Sequence, residues 1–180
     1  RANKGAAFAL EAHIHAWRGQ YAESAAAADS VIKSNLYSYV SRDSLPYRNI
    51  YQGQSAEGIF EISQSAANEG TRNGIGDLTL VSPYNRLVNT PKLTLPASRI
   101  RALFPEREDK RLRYAFDTTI NNNYVICLKY ANLSYSDETN NAVPIFKNNI
   151  VVFRYSDIKL LRAEALAATG RPGEAETLLN

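Results

Sequence analysis

Two helical patterns of apolar residues open the chain. Along residues 4–18, two stripes repeat with the spacing i, i+4, i+7, which is the period of an α-helix. The stripes are Leu10, Ile14 and Trp17, and Phe8, Ala12 and His15. Because the charged residues form one narrow stripe, we expect this helix to be packed on more than one side, an arrangement that would bury Trp17. Gly19 ends the helix, and an Ala-rich helix over 21–34 should pack against the Phe8 stripe.

The last 30 residues carry a second set of helical patterns. After the apolar, strand-like residues 149–153, the segment Arg154-Tyr155-Ser156-Asp157 leads into an amphipathic helix, which Gly170 ends. Residues 174–180 have the pattern of a further helix that the chain leaves incomplete. In both segments the spacing of large apolar residues, small residues and Gly is similar to that of a tetratricopeptide repeat.

Residues 35–150, between the two helix pairs, have an irregular pattern with many loops. Short strands are predicted at 58–63 and 124–130, short helices at 95–105 and 109–117, and a hairpin turn at 121–123. The predicted fold class is therefore mainly α, with tetratricopeptide-like helix pairs and an irregular, loop-rich insertion containing short β-strands. We interpret residues 1–180 as one domain fragment, with a helix pair at 1–34, the insertion at 35–150 and a second, truncated helix pair at 151–180.

Composition argues against several classes of function. The 180 residues carry a net charge of +3 with dispersed basic residues, so nucleic-acid binding has no support. His13 and His15 point to different sides of a helix and cannot share a metal ion, and no metal or cofactor motif occurs. Cys127 is the one cysteine and is interpreted as a small buried hydrophobic residue. The chain lacks Met and starts at Arg1, which predicts a fragment or a processed chain, and no apolar run is long enough to span a membrane.

The order of these patterns resembles the SusD/RagB family of surface lipoproteins from Bacteroidetes-type bacteria. In that family a strand leads into Arg-Tyr-Ala-Asp, followed by Ala-Glu-Ala, a Gly and a later helix that ends in Leu-Asn. The positions in register here are Arg154, Tyr155, Asp157, Ala163, Glu164, Ala165, Gly170, Ala175 and Asn180. Ser156 stands where the family usually has Ala. Residues 1–32, 56–62, 96–111 and 129–130 also resemble family motifs, in the family's order.

The resemblance implies a non-catalytic protein that binds glycans at the outer membrane and delivers oligosaccharides to a SusC-like TonB-dependent transporter. It implies a surface-exposed lipoprotein without a cofactor. Sugars are bound by flat aromatic rings with amide, guanidinium and hydroxyl groups around them. The triplet Tyr84-Asn85-Arg86, in a predicted loop, offers these groups. We therefore predict that Tyr84 stacks on a sugar ring and that Asn85 and Arg86 donate hydrogen bonds to its hydroxyls.

Two other functions are open on the residues alone. The helix pairs could form a protein-interaction scaffold of tetratricopeptide type. Asp157 and Glu164, seven residues apart, could serve a glycoside hydrolase, but their spacing along one helix does not imply a cleft. We expect them to form structural ion pairs instead, with Arg154 and Arg162 as nearby cations.

Overall fold

A computed structural model describes residues 3–40, 49–64, 75–106, 109–137 and 142–180. The chain forms two compact units. The helical unit comprises residues 1–40, 54–62 and 151–180, and the loop-rich unit comprises residues 41–53 and 63–150. The predicted fold class is confirmed, because tetratricopeptide-like helix pairs carry most of the regular structure and the strands between them are short.

The helices and strands alternate irregularly along the chain. The helices are α1 (Lys4–Trp17), α2 (Tyr21–Lys33), α3 (Ile75–Thr79), α4 (Ala97–Leu103), α5 (Lys110–Ala115), α6 (Tyr155–Ala168) and α7 (Pro172–Leu179). The strands are β1 (Gly58–Ile62), β2 (Leu95–Pro96), β3 (Phe116–Asp117), β4 (Tyr124–Cys127), β5 (Leu133–Tyr135), β6 (Pro144–Phe146) and β7 (Ile150–Arg154). Within the described ranges, no helix combines the length and the apolar character that crossing a membrane requires.

Both helix pairs turn on the same backbone motif. At the end of α1, Gly19 has φ +72°, and the Gln20 N–H donates to the His15 carbonyl at 2.8 Å. At the end of α6, Gly170 has φ +77°, and the Arg171 N–H donates to the Leu166 carbonyl at 2.9 Å. Each is a Schellman cap, which requires a left-handed residue that Gly adopts without strain. The two predicted helix ends are therefore confirmed.

Small residues allow the helices of the helical unit to approach closely. Helix α2 packs against both α1 and α6, and α6 packs against α7. Ala9, Ala12 and Ala28 are fully buried in the core between them, together with Ile158. The Ser24 hydroxyl donates to the Ala12 carbonyl at 2.9 Å across the α1–α2 contact. The predicted packing of the Phe8 stripe against α2 is thus confirmed.

The second stripe of α1 does not follow the prediction. Leu10 is 50% exposed, Ile14 46% and Trp17 92%, so this side of α1 faces solvent. Helix α1 does pack on more than one side, against α2, α6 and β1, but these contacts leave the Trp17 stripe uncovered. His13 is half-buried and stacks on Phe153 with ring centroids 5.4 Å apart.

The predicted ion pairs are correct for Asp157 and wrong for Glu164. The Arg154 guanidinium donates to both carboxylate oxygens of Asp157, at 2.6 and 3.0 Å. Arg162 instead pairs with Asp29 of α2 at 2.7 Å, which links α6 to α2. Glu164 is exposed, because its position on α6 lies away from the α2 contact.

A buried acid joins β1 to the start of α6. The Glu57 side chain is 2% exposed, and its carboxylate accepts hydrogen bonds from the Ser156 hydroxyl at 2.7 Å and the Val40 N–H at 3.1 Å. The Glu57 carbonyl accepts from the Tyr155 N–H at 2.8 Å. The positive end of the α6 dipole favours a carboxylate at this place. Ser156 therefore supplies a donor that Ala, the usual residue of the family, lacks.

In the loop-rich unit, β3 and β4 form an antiparallel hairpin whose register pairs Phe116 with Cys127 and Asp117 with Ile126. Strand β2 pairs with the other edge of β4, and β5 pairs with β6. The predicted hairpin turn at 121–123, the helix near 95–105 and the helical turn after Asp109 are confirmed. The strand predicted over 124–130 ends at Cys127, because residues 128–130 form a 3-10 turn.

Replacing the exposed Trp17 tests how far α1 is covered. We expect Trp17→Ala to change the free energy of unfolding by less than about 0.5 kcal/mol, because the side chain loses little contact. Leu166→Ala is the matched control, since Leu166 is 1% exposed and its truncation should cost about 2–5 kcal/mol. Urea denaturation of both variants measures the two values, and a large loss for Trp17→Ala would show that another group covers the stripe.

Removing the hydroxyl that faces Glu57 tests the buried acid. Ser156→Ala should lower the free energy of unfolding by about 1–3 kcal/mol, because a buried carboxylate then loses a donor. Ser30→Ala is the control, since the Ser30 hydroxyl donates to the Ala26 carbonyl at an exposed site. Equal thermal denaturation midpoints for the two variants would contradict a stabilising role for the Ser156 hydrogen bond.

Candidate glycan-binding site

The predicted triplet lies in a tight loop that its own backbone closes. The Val81 carbonyl accepts hydrogen bonds from the N–H groups of Tyr84 and Asn85, at 2.8 and 2.9 Å. The Ser82 N–H donates to the Val88 carbonyl at 2.9 Å and ties the two ends of the loop together. Because the backbone is fixed in this way, the three consecutive side chains leave the loop in different directions.

Tyr84 is half-buried, and its hydroxyl reaches the end of β3. Its ring packs against the cluster of Leu80, Val81, Ile126 and Leu128, and its hydroxyl donates to Asp117 Oδ2 at 2.7 Å. The other carboxylate oxygen of Asp117 accepts from the N–H and the hydroxyl of Thr119, at 2.8 and 2.7 Å. The phenol and the β3–β4 turn are therefore held by one carboxylate.

Asn85 points into the interior of the loop. The residue is fully buried, and its Oδ1 accepts from the Leu87 N–H at 3.2 Å and from the Tyr135 hydroxyl at 3.5 Å. An Asn side chain that bonds the backbone two residues on is typical of a tight turn. In this structure the side chain holds the loop through its Oδ1, and the sugar contact expected of the Asn85 amide stays a prediction.

Arg86 is exposed and lies over an aromatic ring. Its guanidinium carbon is 4.1 Å from the centroid of the Tyr135 ring, and its Nη2 donates to the Asp137 carbonyl at 3.1 Å. The Arg86 N–H donates to the Tyr135 hydroxyl at 2.7 Å. This cation–π contact places a flat, cationic surface at the outside of the loop.

A pocket of about 400 Å³ opens beside Tyr84. It combines apolar surface with hydroxyl, carboxylate and guanidinium groups. The lining residues are Tyr84, Leu112, Arg113, Phe116, Asp117, Thr118, Thr119 and Leu128. Of the predicted triplet, Tyr84 lines this pocket, whereas Asn85 and Arg86 are not among the lining residues.

Helix α5 positions Leu112 and Arg113 at the pocket. Asp109 caps this helix by accepting from the Arg111 N–H at 2.8 Å. The Arg111 side chain also donates to both oxygens of Asp109, at 2.6 and 3.1 Å, and this hydrogen bonding holds the pKa of Asp109 below its usual value. The helix that carries Leu112 and Arg113 thus begins at a capped and charge-paired residue.

Sequence reasoning missed the residues that complete the pocket with Tyr84. Arg113 lies before β3. Asp117 is the last residue of β3, and Thr118 and Thr119 follow it in the turn. The spacing Asp117-x-Thr119 was the available signal, because an Asp often accepts from the backbone N–H two residues on. That Tyr84, 33 residues earlier, meets this turn could not be derived from local spacing.

The remaining candidates for chemistry have structural surroundings. Burial raises the pKa of the Cys127 thiol, which keeps it protonated and unreactive near neutral pH. The residue was predicted to be a small buried hydrophobic residue, and the structure shows it half-buried. In the part of the chain that the structure describes, no group of three or more His, Cys, Asp or Glu side chains could hold a metal ion.

Comparisons with known proteins agree on one family. The family model described as the SusD family matches residues 111–180. A SusD homolog from Bacteroides thetaiotaomicron is similar in structure, with a TM-score of 0.76 and 27% identity over 100% of this chain and 42% of that one. A SusD superfamily protein from the same organism has a TM-score of 0.73 and 25% identity over 99% of this chain and 40% of that one. A search of curated proteins gave no match.

The chain spans about two fifths of the length of these solved structures. The matched structures nevertheless cover nearly every residue of this chain, including both helix pairs and the strands between them. The family match takes in α5 from its second residue on, the β3–β4 hairpin and the second helix pair. The chain is therefore similar to SusD-like proteins, over residues 111–180 in sequence and over nearly its whole length in structure.

Proposed function

We propose that this chain binds a glycan without cleaving it, in the pocket beside Tyr84, as part of nutrient uptake at a bacterial cell surface. The observation that carries the proposal is the pocket itself, where an aromatic ring lies with two threonine hydroxyls, a carboxylate and a guanidinium in a SusD-like chain. Similarity to the SusD family supports a glycan-binding role in nutrient uptake. We further propose that the bound oligosaccharide is delivered to a SusC-like TonB-dependent transporter and that the protein is an outer-membrane lipoprotein.

The chemistry of the pocket suits a sugar. A volume of about 400 Å³ lies within the common range for small-molecule sites and is large enough for one or two sugar rings. The Tyr84 ring, with Leu112 and Phe116 nearby, can contact the C–H face of a sugar, while Thr118, Thr119 and Arg113 can bond its hydroxyls. Such polar groups exchange water for sugar contacts, so we expect affinities on the order of micromolar to millimolar.

The arrangement of acids supports binding rather than hydrolysis. Glycosidases use two carboxyl groups on either side of the bond that breaks, roughly 5–10 Å apart. Among the lining residues of this pocket, Asp117 is the one carboxylate, and it already accepts three hydrogen bonds. The sequence candidates for a hydrolase do not form a pair either, since Asp157 is bound by Arg154 and Glu164 is exposed.

A protein-interaction scaffold is the second candidate function. The observation that favours it is the apolar stripe on the solvent side of α1, formed by Leu10, Ile14 and Trp17. Residues at this spacing are the anchors by which helices recognise grooves or other helices. The two functions use different residues, so substitutions in one site leave the other intact.

We predict that Tyr84→Ala weakens glycan binding about 5- to 150-fold, which corresponds to the roughly 1–3 kcal/mol that stacking of a nucleobase on an aromatic side chain contributes. Calorimetry against a polysaccharide panel, with wild type and variant, measures the effect. Tyr39→Ala is the matched control, because Tyr39 is 45% exposed in the helical unit and does not line the pocket.

Arg86→Ala distinguishes a glycan site in the pocket from a site formed by the predicted triplet Tyr84-Asn85-Arg86. If the pocket is the site, this variant should bind the glycan within about twofold of wild type, because Arg86 does not line it. A strong loss in Arg86→Ala with no loss in Tyr84→Ala would move the site to the outside of the loop. Absence of glycan binding by the wild type would favour the scaffold function.

A further inference from the structure

Asp117 controls the hydroxyl groups that surround it in the pocket. Its Oδ2 accepts from the Tyr84 hydroxyl at 2.7 Å, and its Oδ1 accepts from the Thr119 hydroxyl at 2.7 Å and the Thr119 N–H at 2.8 Å. An ionised carboxylate can only accept hydrogen bonds. Both hydroxyls must therefore direct their hydrogens to Asp117.

A hydroxyl has one hydrogen to donate. Once Tyr84 and Thr119 donate to Asp117, their oxygens can only accept hydrogen bonds from a ligand. Both residues line the pocket, so this restriction applies where a ligand would bind. Hydroxyls that could otherwise turn to suit either a donor or an acceptor are given one fixed polarity.

We propose that Asp117 is a specificity-determining residue. Because it orients the hydroxyls of Tyr84 and Thr119, the pocket selects glycans whose free hydroxyls donate hydrogen bonds to these two oxygens. The inference rests on the proposed function, because it assumes that a glycan binds in the pocket. It adds the chemical requirement on the ligand: sugar hydroxyls at these contacts must carry hydrogen. Sugars that present only acceptors there, such as fluorine or ether oxygens, are disfavoured.

The other polar groups of the pocket do not remove this requirement. Arg113 can only donate, so it contacts oxygen atoms of the ligand and cannot replace the acceptors at Tyr84 and Thr119. A site with fixed acceptors rejects an analogue that lacks the matching donor, because the acceptors then lose their bonds to water without gaining others. Asp117 therefore acts on the ligand through two side chains.

Deoxyfluoro sugars test the requirement directly, since fluorine is close to hydroxyl in size and has no hydrogen to donate. The probes are the methyl glycosides of glucose, galactose and mannose, each with its singly deoxygenated and singly deoxyfluorinated derivatives. Saturation-transfer NMR gives the dissociation constant of each. We define the fluoro ratio as the dissociation constant of a fluoro derivative divided by that of its parent glycoside.

In the wild type, we expect at least one ring position with a fluoro ratio of about 3–10. The dissociation constant of the deoxy derivative at that position, divided by that of the parent glycoside, should be the same within error. In Asp117→Asn, the new amide N–H can donate to the Tyr84 oxygen, which frees the phenol to donate to the ligand. The parent glycoside should then bind more weakly, and the fluoro ratio should fall toward one.

Thr119→Val provides a second variant in case Asp117→Asn does not fold, as judged by its thermal denaturation midpoint. It removes one of the two acceptors at an exposed residue and should also lower the fluoro ratio. Asp157→Asn is the matched control, because Asp157 pairs with Arg154 in the helical unit and does not line the pocket. It should leave the fluoro ratio unchanged.

The outcomes separate the two proposals. If glycosides bind and Tyr84→Ala weakens them, but fluoro ratios near one are found in the wild type, the role of Asp117 is wrong and the binding site stands. A fluoro ratio that is high in the wild type and the same in Asp117→Asn and Thr119→Val also overturns it. If no glycoside binds, or if Tyr84→Ala binds like the wild type, the proposed site is wrong and the role of Asp117 with it.

Discussion

The helical unit depends on one contact between distant parts of the chain, the burial of Glu57 against the start of α6. The Ser156 hydroxyl and the Glu57 carboxylate are 99 residues apart in sequence and 2.7 Å apart in space. Together with the pairing of β1 and β7, this contact closes the chain around the residues between them. The entropic cost of closing a loop grows only slowly with its length, so a few well-made bonds at its base are enough to offset it.

The same contact explains a departure from the family pattern. A buried carboxylate needs donors, and Glu57 obtains them from Val40 and Ser156, which approach it from different segments. Ala at position 156 would remove one donor and leave the acid in place. Ser156 and Glu57 are thus best understood as a pair, although neither residue is unusual by itself in the sequence.

The parts of the fold that could be predicted are those with local causes. Helix α1 ends at Gly19 and α6 ends at Gly170 because each cap requires a left-handed residue within a few positions. The exposure of Trp17 could not be predicted, since a 3.6-residue period shows which residues share a helix face but not whether another element covers that face. The same limit applies to Glu164, whose partner was expected from sequence proximity, while Arg162 pairs with Asp29 of another helix.

For the candidate site, the residue types of the loop were informative but their directions were not. Tyr84, Asn85 and Arg86 are consecutive, yet a tight turn sends Tyr84 to the pocket, Asn85 into the interior and Arg86 to the Tyr135 ring. Loop side chains point in directions set by backbone hydrogen bonds, and composition does not encode these. The turn at Asp117 is the reverse case. Its Asx motif is local in sequence, whereas the Tyr84 hydroxyl that donates to Asp117 comes from 33 residues earlier. A pocket held in this way has its ring and its acceptors already arranged, and this preorganisation would lower the entropic cost of the glycan binding that we propose.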